Sequence, residues 1–223
     1  MRKSAPVPKI LPPLKKSLRP EIPRKVVYRL SVYFRGLQRL KANGHHTVSS
    51  EALAKAAGVK PTQLRKDLAY FGQFGTRGLG YDVGQLAEVI SDVLGTTCLQ
   101  PVVLIGVGNL GLALLSYRGF EKAGFEIIAA FDIDPARQRG KSSSVAVCDM
   151  EKLAPLVRER GVKMAILTVP ASVAQEVANL LVECGLTGIL NFAPMVLDVP
   201  ETVVVNNVNL AIELENLSYF VQR

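Results

Sequence analysis

The stretch from Pro101 to Asp134 restricts the fold of this chain more than any other part of it. It reads as strand, glycine turn, helix, strand. Val102 to Ile105 form a short continuous apolar run, as expected of a parallel strand buried on both faces, and Gly106, Gly108 and Gly111 follow at G-x-G-x-x-G spacing. The first glycine permits a tight turn, the second lets a pyrophosphate approach the backbone, and the third lets the helix starting near Asn109 pack closely on the strand. The turn Gly106, Val107, Gly108, Asn109, Leu110, Gly111 is therefore the expected phosphate cradle. Its unpaired N–H groups and the positive end of the helix dipole face the phosphates.

A second strand, Glu126 to Phe131, ends at Asp132, placed where a carboxylate accepts hydrogen bonds from an adenosine ribose. Ile133 follows, not arginine. A carboxylate there repels a 2′-phosphate, so the pattern favours NAD(H) over NADP(H), with Arg137 as the nearby cation that could soften the preference.

The charge distribution points to a second activity. The net charge is +8, but residues 1–80 hold 17 Lys and Arg against three acids, whereas residues 81–223 hold 10 against 16. A basic first third on an acidic remainder suggests a polyanion-binding module joined to one that binds none. The chain has length for two modest domains and enough apolar content for packed cores. Its apolar runs are too short to span a membrane, and its basic N-terminus has no apolar signal core. Cys98, Cys148 and Cys184 are widely spaced and odd in number, which suggests free thiols, a cytoplasmic location and no metal site.

Residues 1–24 carry six prolines and seven bases and read as a basic flexible arm. From Lys25 to Asn43, Val26, Leu30, Tyr33 or Phe34, Leu37 and Leu40 recur at helical spacing, ending at Gly44. A short helix capped by Ser49 or Ser50 runs to Gly58, and Pro61 opens a third, PTQLRKDLAYF, with Leu64 and Leu68 inward and Gln63, Arg65 and Lys66 projecting elsewhere. Two helices joined by a glycine turn, the second rich in groove-reading side chains, read as helix-turn-helix. Arg65 and Lys66 can donate to guanine, and Gln63 can pair with adenine. The glycine-rich stretch Phe71 to Tyr81 suits a wing hairpin with Arg77 at its tip. A linker helix, Asp82 to Leu94, leads to a boundary near residue 95.

Beyond the glycine turn, strands are expected at Val145–Cys148, Lys163–Val169, Gly188–Phe192 and Thr202–Val205, with helices at Met150–Arg160 and Ser172–Cys184. The alternation defines an α/β, doubly wound parallel sheet of Rossmann type. Thr168, Val169 and Pro170, and Asn191 to Pro194, lie just past strand ends, the edge where ligands sit in such sheets. The last segment carries Leu210, Leu214, Leu217 and Val221 on one stripe with Phe220 beside it, and that stripe must bury itself on its own domain or on another subunit.

Arg65-Lys66-Asp67-Leu68, Tyr70-Phe71-Gly72, Phe74 to Gly78, the Gly106–Gly111 turn, Phe131 to Pro135 and Asn191 to Pro194 together resemble the Rex family of bacterial redox-sensing transcriptional repressors. The resemblance runs from about Arg24 to Phe220. It implies a homodimer whose winged-helix domains (25–95) bind an inverted-repeat operator in double-stranded DNA, and whose Rossmann domains (96–206) sense the NADH to NAD+ ratio, NADH releasing the DNA. It places Arg65, Lys66 and Arg77 on DNA-contacting positions, Gly106 to Gly111 with Asp132 on the dinucleotide, and Thr168 to Pro170, Asn191 and Phe192 near the nicotinamide. It also implies that Arg35 and Tyr117 belong to the switch between forms and that the C-terminal helix (207–223), with Leu214, Leu217 and Phe220, is exchanged between subunits. Where the family often carries an acid just before that helix, this chain has Asn209, which removes a charge pair with Arg35. The competing class is an NAD-dependent dehydrogenase. Both histidines, His45 and His46, lie in the basic N-terminal part, so no catalytic residue is evident for hydride transfer.

Overall fold

The computed structural model describes residues 22–76, 78–134 and 145–221. The arm up to residue 21, the wing-tip Arg77 and Arg137 lie outside the described residues. The chain divides into two units, Met1–Thr97 and Cys98–Arg223.

The N-terminal unit contains α1 (Arg24–Ala42), β1 (Thr47–Val48), α2 (Ser50–Ala56), α3 (Pro61–Ala69), β2 (Tyr81–Asp82) and α4 (Val83–Leu94). The stripe read on α1 is buried at Val26, Leu30, Tyr33 and Leu37, and the last three of these share one core with Leu53, Leu64, Leu68, Leu86 and Ile90. Helix starts are set locally. The Ser49 hydroxyl accepts the Ala52 N–H at 3.1 Å, the Asp82 carboxylate accepts the Gln85 N–H at 2.8 Å, and Pro61 opens α3. In the stretch read as a wing, Thr76 and Gly80 form an antiparallel bridge, and β2 just after it pairs antiparallel with β1, Thr47 opposite Asp82 and Val48 opposite Tyr81. Positive φ at Gly72, Gly75, Gly78 and Gly80 turns the chain repeatedly through this stretch.

The second unit contains β3 (Gln100–Ile105), α5 (Asn109–Leu115), α6 (Gly119–Lys122), β4 (Phe125–Phe131), β5 (Val147–Cys148), α7 (Leu153–Arg160), β6 (Met164–Leu167), α8 (Ala171–Glu183), β7 (Gly188–Asn191), β8 (Val204–Asn207) and α9 (Leu210–Val221). The strands form one parallel sheet in the order β5-β4-β3-β6-β7-β8, the doubly wound arrangement expected. Alternate residues of β3 enter separate cores: Val103 and Ile105 join Phe131, Leu153, Leu167 and Leu181, while Val102 and Leu104 join Val107, Ala130 and Ile166.

Several boundaries differ from the sequence reading, three of them informatively. The helix expected over Met150–Arg160 begins as a 3-10 turn, Met150–Lys152, because Pro155 has no N–H to continue an α-helical ladder back to Glu151. The segment after the glycine turn breaks at Ser116–Arg118 into α5 and α6. The last strand starts at Val204 rather than Thr202, since the Val203 N–H closes a turn onto the Pro200 carbonyl at 2.8 Å.

Candidate functional site

At the switch point of the sheet, β3 and β6 stay paired as far as Ile105 and Leu167, and the carboxyl end of β6 meets the glycine turn that follows β3. The Gly106 N–H donates to the Phe131 carbonyl at 2.8 Å, and the Thr168 N–H donates to that of Ile105 at 2.9 Å, which carries both ladders to the edge. The Thr168 hydroxyl then donates to the Gly106 carbonyl at 2.7 Å. A β-carbon on Gly106 (φ 94°) would lie 2.9 Å from the Thr168 carbonyl, and one on Gly111 would collide with the Gly106 carbonyl oxygen. Above Gly108, by contrast, nothing lies within 4 Å of a built β-carbon. Two of the three glycines are thus required by packing against the protein itself, and the middle one faces open space at the start of α5. Asn109 and Leu110 are exposed beside it. That is the geometry a phosphate needs to reach backbone N–H groups.

Asp132 stands at the expected strand end, but it is only 6% exposed and its oxygens already hold backbone. Oδ2 accepts the Val107 N–H at 2.6 Å and Oδ1 the Asp134 N–H at 2.9 Å. It clasps the glycine turn to the end of β4, and these two bonds use one lone pair of each oxygen. Asn191 is also committed internally. It is 0% exposed, its amide N–H groups lie 3.2, 3.0 and 2.9 Å from the Ala193 and Met195 carbonyls and Asn207 Oδ1, and its own Oδ1 accepts the Ala193 N–H at 2.9 Å. The family resemblance implies a place near the nicotinamide, and in the structure Asn191 is the peg that shapes the Phe192–Met195 loop. Val169 and Phe192 are half-buried and Pro170 is exposed, at the same edge.

Tyr117 is 60% exposed and stacks edge-on against Phe120, ring centroids 5.1 Å apart. Asn209 caps α9, its Oδ1 accepting the Ala211 N–H at 3.0 Å. Leu214, Leu217 and Phe220 are all exposed on α9, which has no buried residue.

On α3 of the N-terminal unit, Arg65 and Lys66 are exposed opposite the buried Leu64 and Leu68. Arg65 Nη1 donates to the Ser50 hydroxyl at 2.9 Å, beside a cleft of about 410 Å³ bounded by Glu51, Thr76 and Leu79. Arg35 is exposed on α1. The sequence reading gave Asp67 no role beyond its place in the family motif. Its carboxylate, 1% exposed, receives Arg29 Nε at 2.6 Å and Nη2 at 2.8 Å, the Tyr33 hydroxyl at 2.7 Å and Gln63 Nε2 at 2.8 Å. Burial alone would raise the Asp67 carboxyl, but the hydrogen bonds of Arg29, Tyr33 and Gln63 outweigh it and hold it below the ordinary value. Asp67 in turn raises Arg29, while burial and then Asp67 raise the Tyr33 phenol. The available signal was an acid alone among the bases of this helix, four residues after Gln63, with Arg29 and Tyr33 one turn apart on another helix.

Among the described residues no cluster of His, Cys, Asp or Glu could hold a metal ion, and no helix is long and apolar enough to cross a membrane.

A helix-turn-helix unit followed by a doubly wound sheet with an open glycine turn defines a DNA-binding regulator with a nucleotide-sensing domain. Residues 21–69 match the family described as "Putative DNA-binding protein N-terminus", and residues 99–195 match the CoA binding domain family. The redox-sensing transcriptional repressor Rex of Carboxydothermus hydrogenoformans is 46% identical over 203 residues, covering 91% of this chain and 98% of that protein. Rex of Streptomyces coelicolor is 46% identical over 202 residues, 91% of this chain and 78% of its own. Among solved structures, RSP in complex with beta-NAD+ and operator DNA superposes with a TM-score of 0.83 at 36% identity, covering 91% of this chain and 93% of that one. RSP in complex with beta-NADH gives 0.79 at 35%, covering 91% and 95%. The chain belongs to the Rex family of redox-sensing transcriptional repressors.

Proposed function

We propose that this protein represses transcription by binding operator DNA through its N-terminal unit and releases it when NADH occupies the glycine turn of its sheet unit. The observation that carries the reading is the open space over Gly108 at the switch point, in the same chain as a helix presenting Arg65 and Lys66 to solvent. Gly106 to Gly111 hold the pyrophosphate through backbone N–H groups. Asp132 positions that turn and offers its remaining lone pairs to the adenosine ribose, which favours NAD(H) over its 2′-phosphorylated counterpart. Thr168, Val169, Pro170 and Phe192 flank the nicotinamide, with Asn191 holding the loop behind them.

The two redox forms differ at the ring, positive in NAD+ and neutral in NADH. A rim of Val169, Pro170, Phe192 and Ala193 disfavours an uncompensated charge, so NADH binds more tightly. By linkage, NADH lowers DNA affinity by the same factor by which DNA lowers NADH affinity. The exposed apolar face of α9 is covered by a second copy of the chain, and the resulting homodimer spans an inverted repeat in the cytoplasm. Arg35 and Tyr117 take part in the switch. Both histidines lie in the DNA-binding unit, which favours a sensor over a dehydrogenase. The test is a titration of the protein–duplex complex with NADH followed by fluorescence anisotropy. Release without consumption of NADH supports the reading; turnover of NADH, or binding without release, contradicts it.

A further inference from the structure

We infer that Asp67 is a positioning residue for operator recognition: its buried carboxylate dictates which way the Gln63 amide faces and so makes Gln63 a selective reader of one base pair. This rests on the proposal that α3 lies against DNA. An ionised carboxylate accepts about four hydrogen bonds and donates none. Those of Asp67 are filled: Arg29 Nε and the Tyr33 hydroxyl on Oδ2, Arg29 Nη2 and Gln63 Nε2 on Oδ1. The Arg29 fork fixes the plane of the carboxylate, and Tyr33, fully buried, fixes its depth.

The consequence falls on Gln63. A glutamine amide on a helix surface can turn by half a circle and exchange its donor for its acceptor. Here the inward neighbour accepts only, so the NH2 end must turn in, at 2.8 Å. The carbonyl oxygen and the second N–H have no partner among the described residues, and their order is set before DNA arrives. One acceptor beside one donor complements adenine, which offers its N6 amine and N7; guanine offers two acceptors at the same edge. Holding the side chain in one rotamer also lowers the ordering cost of binding.

The test uses the full-length protein and duplexes it selects from a pool with a randomised central segment. Each variant is carried through the same selection and its base preference read position by position. Wild type should require A·T at one position in each half-site, and Gln63→Ala should relax that position alone by about 5- to 150-fold. Asp67→Asn, which lets the amide face either way, should relax the same position while others keep their preference, and the Gln63→Ala/Asp67→Asn double variant should lose nothing more there. If Asp67→Asn fails to fold by circular dichroism, Arg29→Lys, which keeps the charge and removes the fork, should produce a partial loss at that position. Unchanged preference in Gln63→Ala overturns the inference. So does a uniform loss of affinity for every duplex in Asp67→Asn or Arg29→Lys with the preference profile intact, because that is the mark of a purely structural residue. A wild-type protein that selects no sequence would instead overturn the operator reading itself.

Discussion

Asp132 Oδ2 accepts the backbone N–H of Val107 at 2.6 Å, joining the end of β4 to the glycine turn after β3. Both groups are buried, so removing the acceptor leaves an unsatisfied donor, which costs about 1–3 kcal/mol. Asp132→Ala is expected to lose the protection of the Val107 amide against hydrogen exchange and to weaken NADH binding by calorimetry. Asp132→Asn keeps one acceptor oxygen and should retain most of that protection.

Gly108 and Gly111 should respond oppositely to alanine. Gly111→Ala drives a methyl into the Gly106 carbonyl and must displace α5, at a cost of about 1–3 kcal/mol in stability. Gly108 has φ −73° and ψ −166°, open to any residue, and free space above it. Gly108→Ala should therefore leave thermal stability within about 0.5 kcal/mol of wild type while lowering NADH affinity, because its methyl occupies the approach of the pyrophosphate. Melting curves and calorimetry on the two variants separate the outcomes.

The sheet was legible because it is built from repeated local signals: an apolar run, a glycine turn and an amphipathic helix, each consistent with the next. Helix starts were also legible where a cap or proline fixed them, as at Pro61 and, to within one residue, at Ser49. What stayed hidden depends on contacts distant in sequence. Nothing near Thr47 announces its pairing with Asp82, and the Arg29–Asp67 bond joins groups on separate helices. Asp132 and Asn191 were found as candidate residues, but their partners, Val107 and Asn207, are set by how strand ends meet, which no spacing rule encodes.

The Asp67 cluster makes the N-terminal unit sensitive to pH on both sides. Tyr33 titrates above the ordinary phenol value of 10.0, through burial and then Asp67, so its contribution to stability is complete below that value and is lost as pH rises through the higher folded one. Asp67 titrates below 3.8, so its contribution is present above that value and is lost as pH falls through the lower folded one. Phenolate absorbance during an alkaline titration should show one tyrosine ionising after the others, and Tyr33→Phe should remove that last step.

The face of α9 bearing Leu214, Leu217 and Phe220 is exposed, with Phe220 at 71%. Covering these three side chains in a dimer is worth about 1.5–3 kcal/mol each before ordering costs. Truncation after Asn209 should give monomers by light scattering and weaken operator binding, since one unit cannot span two half-sites. A truncated protein that remains dimeric would place the main contact elsewhere.

Reciprocal coupling between the glycine turn and the DNA-binding helices is tested most directly by operator occupancy at constant total nucleotide while the NADH fraction is varied. Occupancy should stay high with NAD+ alone and fall as NADH rises. Operator occupancy that is flat across the whole range, or that rises with NADH, would contradict the account.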